Sequence, residues 1–405
     1  MQAAFSEFDS KALATLGAAY TIPEILGQPD LWLKIWSRLQ QEEGELAAFL
    51  SEAFQSPQRE IILTGAGSSA FIGELLQGHM SRGTKRCVRA IPTTDIVTNP
   101  EECFAHKVPT LLISFARSGN SPESIAAVER ADESLADLRH LIITCNPEGG
   151  LANHPTKNPR AVFVLPEEAD DKGLAMTGSF TGMALAGWLL TDWEHIGAAE
   201  GRVRRLASAA RDMLSSNGEL FHRIARLDIK RAIFLGAGAL KGAARECHLK
   251  VQELTNGSVI CSYDSFLGFR HGPKAAIDES TLLVFLFSGR KGHRAYEQDL
   301  VREIRFGVPS AFRLGVGEGL APHLAMEATI PLDPDGLLSD EERAICSVLA
   351  AQAFGVHRAI VLGLSPDNPS PSGSISRVVQ GVTIYPPSSP VLEPRYDRSR
   401  HDTPI

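Results

Sequence analysis

The chain has 405 residues, 43% hydrophobic and 22% charged, which suits a water-soluble globular protein with room for two domains, each with its own core. Its net charge of −8 argues against nucleic acid or an anionic membrane as the main partner, so positive potential for an anionic ligand has to be local. The six cysteines show no C-x-x-C pair, the N-terminus has no signal-peptide pattern, and no apolar run reaches membrane-spanning length; the expectation is a cytoplasmic protein with reduced thiols.

Residues 1–56 read as an arm and a helix: irregular to residue 28, then helical from Pro29 to about Phe54, with Leu31, Ile35, Leu39, Leu46, Phe49 and Leu50 at apolar positions. Trp32 and Trp36 lie four apart on one face, as packing residues do. From residue 57 strands and helices alternate. Glu60 to Thr64 reads as a strand, followed by the turn Gly65-Ala-Gly-Ser-Ser69 opening a helix to about Met80. Further strands follow at Arg86 to Ile91, Val108 to Phe115, His140 to Thr144 and Ala161 to Leu165. Such alternation predicts a parallel sheet covered on both faces, with ligand sites at the carboxyl ends of its strands.

One βα turn stands out. After the apolar strand ending at Phe115 comes Arg117-Ser118-Gly119-Asn120-Ser121, and then Pro122. Ser121 is a natural helix cap, and a proline at the first helical position gives up no needed N–H. The turn can aim backbone N–H groups, serine hydroxyls and a positive helix end at one point, which suits a phosphate; an ordinary capped turn has the same letters. Ser68 and Ser69, at the start of the preceding helix, can add hydroxyls. Gly65-x-Gly67 with Ala70 also invites a dinucleotide reading, but the second strand lacks the closing acidic residue and Asp95 comes late.

A helical stretch from about Gly178 to Leu227, broken near Gly197 and Gly218, leads into a second copy of the pattern. Ala232 to Gly238 repeats Ile61 to Gly67, and Leu282 to Gly289 repeats Leu111 to Gly119, at offsets of 171 and 170 residues. The fold class is therefore α/β, two tandem similar domains at 57–200 and 201–365, each a three-layer sheet flanked by helices. In the second copy Ser288-Gly289 is followed by Arg290 and Lys291, with no capping hydroxyl soon after, so the full serine cradle is expected only in the first. On the helix after Gly238, Glu246, Lys250 and Glu253 share a face, either as a solvated ion-pair stripe or as chemistry. A rigid turn, Arg270-His271-Gly-Pro273, follows; a helix carboxylate with such a histidine supplies a general base and a proton carrier. Ile345, Val348, Leu349 and Ala353 mark a further helix, and 366–405 reads as a Pro- and Ser-rich tail with one ordered piece at Ile375 to Tyr385.

Taken together, Glu24-Ile-Leu-Gly-Gln-Pro29, Gly65-Ala-Gly-Ser-Ser69, Arg117-Ser-Gly-Asn-Ser-Pro-Glu-Ser124, Leu249-Lys-Val-Gln-Glu253, Arg270-His-Gly-Pro273, Pro366-Asp-Asn-Pro369 and Arg377-Val-Val-Gln-Gly381 resemble the sugar isomerase (SIS) family, most closely its galactosamine-6-phosphate deaminase/isomerase group, also described as tagatose-6-phosphate ketose/aldose isomerases. The resemblance implies a sugar phosphate as ligand, with Ser69, Ser118, Ser121 and the backbone of Gly119 and Asn120 on the phosphate. Ser68, Arg117, Thr177 and Gln380 then lie near the sugar. Glu253 takes the role of the base between C1 and C2, with Lys250 beside it, and His271 opens the ring from the adjoining subunit of a homodimer or larger homo-oligomer. The tail 366–405 folds over the active site. Neither a metal nor an organic cofactor is implied, nor a nucleic-acid or membrane partner. Two departures stand out: Ala116 replaces a hydroxyl residue in the cradle, and Gln380 stands where the related synthase has a lysine able to form a Schiff base. No glutaminase domain is found ahead of the pair, so release of ammonia is expected rather than its installation. A plain isomerase of a neutral sugar phosphate, or a non-catalytic sensor, fits the same cradle.

Overall fold

Apolar strands of five to seven residues have to be buried on both faces; here one shared core covers the inner faces of two sheets and a separate cluster covers each outer face. The computed structural model describes residues 9–307, 312–318, 324, 326–333, 335–379 and 381–386. Helices α1 (Ser10–Thr15), α2 (Thr21–Gln41) and α3 (Glu43–Ala53) come first. The first α/β unit follows: β1 (Glu60–Thr64), α4 (Ser68–Thr84), β2 (Val88–Ala90), α5 (Thr93–Thr98), α6 (Pro100–Cys103), β3 (Thr110–Ala116), α7 (Pro122–Ser134), β4 (Leu138–Thr144) and β5 (Arg160–Val164). Helices α8 (Gly178–Leu190), α9 (Glu200–Ser216) and α10 (Gly218–Ala225) connect it to the second. That unit has β6 (Arg231–Leu235), α11 (Ala239–Leu254), β7 (Ile260–Asp264), β8 (Thr281–Leu286), α12 (Lys291–Gly307), β9 (Phe312–Val316), β10 (Ala328–Ile330) and α13 (Asp340–Val361).

Every strand pairing among the described residues is parallel, and the two sheets share one order: β2-β1-β3-β4-β5 and β7-β6-β8-β9-β10. Side chains alternate by strand face. Ile61, Leu63, Leu111, Ile113 and Phe115 join one core with Leu282, Val284 and Leu286 of the second sheet, while Ile62, Leu112 and Ile142 pack outward with Ala127, Val128 and Ala131 of α7. On the far side Ile233, Leu283 and Phe285 pack with Leu300, Val301 and Ile304 of α12. The repeat extends to backbone detail: Gly67 before α4 has φ 55° and ψ −129°, Gly238 before α11 has φ 57° and ψ −126°, a region open to glycine. Helices α4 and α11 face each other across the two units, and Glu74 pairs there with Arg245, 171 residues further on, which places equivalent positions of the two copies opposite one another.

The N-terminal segment corrects an expectation. Residues up to 28 are not an irregular arm: α2 begins at Thr21 and carries Pro29 inside it. Proline costs a helix the hydrogen bond to the carbonyl four residues back, here that of Ile25. The Gln28 side chain repairs this, its Nε2 donating to the Ile25 carbonyl at 3.2 Å. The start of α2 is held from the far end of the chain, where Asp367 accepts from Thr21 N at 2.8 Å and from Thr21 Oγ1 at 2.9 Å. Helix α13 is buried along nearly its whole length and opens with a capping box between Ser339 and Glu342.

Candidate active site

In each sheet the chain reverses its direction of growth between the first and third strands, β1 and β3 or β6 and β8, and there the loops at the carboxyl ends part to leave a crevice. In the first sheet this crevice is a cavity of about 480 Å³. Its floor is the Ala66–Ser68 turn and the Ala116–Ser121 turn; α11 of the second unit supplies one wall, and residues 373–379 of the tail lie across it.

The cradle turn is organised by its own polar groups. Ser121 caps α7, its hydroxyl accepting from Ser124 N at 3.3 Å and lying 2.7 Å from Ser124 Oγ. Ser118 Oγ accepts from Asn120 N at 3.3 Å, and the Ser118 carbonyl accepts from Asn146 Nδ2 at 2.9 Å. Ser118, Gly119, Ser121 and Ser124 line the cavity. Asn120 is exposed and outside the lining, its side-chain oxygen taken by Gly150 N at 2.8 Å. Of the two serines on α4, Ser68 lines the cavity, and Ser69 is buried outside the lining. Ala116 also lines it, at the place where the resemblance expects a hydroxyl.

Arg117 is the cradle's cation. It is buried, and its guanidinium is held by carbonyls: Gly173 at 3.5 Å, Leu174 at 3.2 Å, and Arg377 of the tail. Arg377 in turn pairs with Asp170 and donates to the Asp171 carbonyl at 2.7 Å. The Asp171 carboxylate gathers the start of α8, accepting from Thr177 N and Oγ1, Gly178 N, and Ser179 N and Oγ, between 2.5 and 3.0 Å. Thr177 is thus fully buried and committed to Asp171; Leu174 and Met176 reach the cavity instead.

Across the cavity, Lys250 projects from α11 between two carboxylates, with Nζ 2.6 Å from Glu253 Oε2 and 3.4 Å from Glu246 Oε1. Lys250 is 1% exposed and Glu246 is fully buried, whereas Glu253 keeps 24% of its side chain accessible and lines the cavity. Burial pushes the Glu246 carboxyl up to about 8, opposed by the Lys250 charge and reinforced by that of Glu253. Burial works against the Lys250 charge as well, but the two carboxylates outweigh it and hold the ammonium above its ordinary range. Glu253, the partly accessible member of the three, faces the cradle, with the Glu246 carboxyl and the Lys250 ammonium buried behind it. The stripe that spacing alone left open as a solvated face is a buried relay opening on the cavity.

His271 sits on an exposed turn between short 3-10 segments, Gly268–Arg270 and Pro273–Ala276, and is not part of the cavity lining. Gln380 lies outside the described residues. Among the described residues no group of three or more His, Cys, Asp or Glu side chains is placed to hold a metal ion. Sequence reasoning did not single out Arg377 as a site residue, nor Met176 and Leu174. Their signal was weak, because each reaches the site from a loop without periodicity.

The second sheet has the same crevice, closed from within. Asp340, the first residue of α13, accepts from Gly289 N at 2.8 Å and from Ser288 Oγ at 2.8 Å, with Arg290 Nε 3.3 Å away. In the second copy a carboxylate of the chain itself occupies the turn equivalent to Ser118-Gly119.

Residues 56–192 match the SIS domain family. The D-galactosamine-6-phosphate deaminase AgaS of Shewanella sp. (strain ANA-3) is 38% identical over 382 residues, covering 93% of this chain and 94% of that protein. The solved tagatose-6-phosphate ketose/aldose isomerase from Escherichia coli superposes with a TM-score of 0.83 at 36% identity, over 90% of this chain and 96% of that one. The C-terminal domain of glucosamine-fructose-6-phosphate aminotransferase from Francisella tularensis, at 17% identity and a TM-score of 0.71 over 86% of this chain and 98% of its own, shares the fold.

Proposed function

The chain belongs to the SIS domain family, in its AgaS branch, and on that premise we propose that it is an isomerising deaminase that converts galactosamine 6-phosphate and water to tagatose 6-phosphate and ammonia. The observation that carries the reading is the pairing of an accessible, lysine-braced carboxylate, Glu253, with a serine and arginine cradle across one cavity. The cradle holds the phosphate, so remote binding energy positions C2 against the base. With the ring open and C1 a carbonyl, Glu253 takes the C2 proton and leaves an enolamine across C1 and C2. Return of the proton at C1 gives a C2 iminium; water adds at C2 and ammonia leaves. Lys250 carries positive charge beside the oxygen that becomes anionic, the form of stabilisation that matters most in such steps.

A second reading, isomerisation of a neutral sugar phosphate, is favoured by the likeness to the Escherichia coli isomerase structure. Ammonia release from galactosamine 6-phosphate, assayed beside glucosamine 6-phosphate, its N-acetyl form and tagatose 6-phosphate, separates the two. Ammonia from the first sugar is expected; interconversion of the neutral sugar without ammonia release from any amino sugar overturns the deaminase assignment.

We further propose that the protein works in the cytoplasm, in keeping with its six free thiols, and as a homodimer. His271, exposed and outside the lining of its own chain's cavity, opens the ring in the partner's site. Mixing inactive Glu253→Gln chains with inactive His271→Asn chains is then expected to restore about a quarter of wild-type activity, since in a two-fold dimer half of the assemblies are mixed and each holds one intact site. No recovery after verified subunit exchange removes the shared site.

A further inference from the structure

Glu24 lies outside the cavity, on the first turn of α2, yet it touches the loop that seats the cradle's arginine. Its Oε1 accepts from the backbone N–H of Lys172 and from that of Gly173, the latter at 3.3 Å. Its Oε2 is buried with no hydrogen-bond partner among the described residues. The contact is close enough to require a glycine: a Cβ on Gly173 would stand 2.7 Å from Thr21 Oγ1 and 3.1 Å from Glu24 Oε2. The loop is also fixed from the root of the tail, where Leu174 N donates to the Asp367 carbonyl at 2.9 Å. Immediately beyond Glu24's two N–H partners, the Gly173 and Leu174 carbonyls receive Arg117 Nη1.

We infer that Glu24 is a positioning residue for phosphate binding: by clamping the Lys172–Gly173 backbone it sets the two carbonyls that hold Arg117 at the cradle. This rests on the reading of the cavity as a sugar-phosphate site. Among the described residues Arg117 is bonded to carbonyls and not ion-paired, with the Asp171 and Asp170 charges acting on it only from further off, so its guanidinium can still take an incoming phosphate as its direct counter-ion. If the loop shifts, Arg117 loses two of its acceptors and the cradle loses its cation.

The clamp is set to respond near neutrality. Burial, then the neighbouring charge of Asp171 and more weakly that of Asp367, pushes the Glu24 carboxyl up to about 7 against the two backbone N–H groups. The hollow that Glu24 lines also holds Asp30, Lys34, Glu167, Glu168, Asp170 and Lys172; Asp30 is paired with Arg211, Lys34 with Glu168 and Asp170 with Arg377. The ionised form is the better acceptor, so the clamp is full above about pH 7 and weakens as pH falls through that value.

The test measures the Kd of galactosamine 6-phosphate and of inorganic phosphate by calorimetry from about pH 6 to about pH 8, on the wild type, Glu24→Gln and Glu24→Ala. Glutamine keeps an acceptor oxygen without titrating. The ratio of wild-type to Glu24→Gln Kd, in which the ligand's own phosphate ionisation cancels, is expected to rise as pH falls through about 7. Glu24→Ala is expected to weaken both ligands about tenfold at the upper pH, with the larger part of the kinetic change in KM rather than in kcat. A flat ratio, or a folded Glu24→Ala with unchanged Kd or with a loss confined to kcat, overturns the inference. If Glu24→Ala does not fold, the glutamine ratio decides alone. A wild type that binds the sugar phosphate but turns nothing over removes the proposed reaction and leaves this test intact.

Discussion

Glu253→Gln is expected to suppress ammonia release and solvent deuterium exchange at C2 together, each by roughly 10²–10⁴-fold, the range carried by a positioned general base. Both steps share the loss of the C2 proton, so one substitution removes them in parallel. The variant is also expected to fold. Lys250 is buried, and orphaning a buried charge costs roughly 3–5 kcal/mol. Here a second carboxylate stands by, Glu246, 3.4 Å from the ammonium. Burial holds Glu246 up at about 8, and the charge of Glu253 contributes to that value. With Glu253 made neutral, Glu246 ionises more readily and becomes the counter-ion of Lys250. The loss of stability read from thermal unfolding therefore stays below the cost of an orphaned lysine. The readouts are proton exchange followed by nuclear magnetic resonance and ammonia by a coupled assay. A folded Glu253→Gln that still exchanges the C2 proton at the wild-type rate would falsify the base assignment. A wild type that binds sugar phosphate and exchanges nothing points to a sensor.

Much of this arrangement was legible in the residues because its causes are local. Apolar runs bounded by turn residues marked the strands, and Ser121-Pro122 marked the start of α7 where the structure has it. The repeat at 170 and 171 residues foretold two sheets of one order, since the same local pattern closes the same topology twice. What the residues did not disclose is held by partners far off in the chain. Helix α2 was expected only from Pro29 onward, because a proline inside a helix and the absence of an adjacent cap both argue for a later start. The cap is Asp367, 346 residues away, and the carbonyl left by the proline is satisfied by Gln28. The commitment of Thr177 to Asp171 is likewise a matter of loop packing, which no periodicity encodes. Ser68 and Ser69 are both buried at the start of α4, and only Ser68 lines the cavity, its side chain reaching Glu246; which of two adjacent serines does so depends on packing that the letters do not carry. That Asp340 closes the second crevice could be suspected only from the missing capping hydroxyl after Ser288-Gly289; the carboxylate that closes it lies some fifty residues on, at the head of α13.

Ser118→Ala combined with Ser121→Ala is expected to raise KM for the phosphorylated sugar by roughly 10²–10⁴-fold and to erase the preference over the unphosphorylated sugar, since each hydrogen bond to a charged group contributes roughly 1.5–3 kcal/mol. The two hydroxyls are not equivalent in the free protein. Ser118 Oγ has one weak intraloop contact, to Asn120 N at 3.3 Å, so its removal costs little in stability. Ser121 also caps α7, and losing a serine cap costs about 0.5–2 kcal/mol. Ser121→Asp is the informative control: an aspartate caps the helix well but sets a negative charge where the phosphate must lie. It is expected to match or exceed the double alanine variant in KM while keeping the thermal stability of the wild type. That combination separates a lost cap from a lost ligand. If the double alanine variant folds and keeps the wild-type KM, the phosphate lies elsewhere, and with it goes the geometry that aims C2 at Glu253.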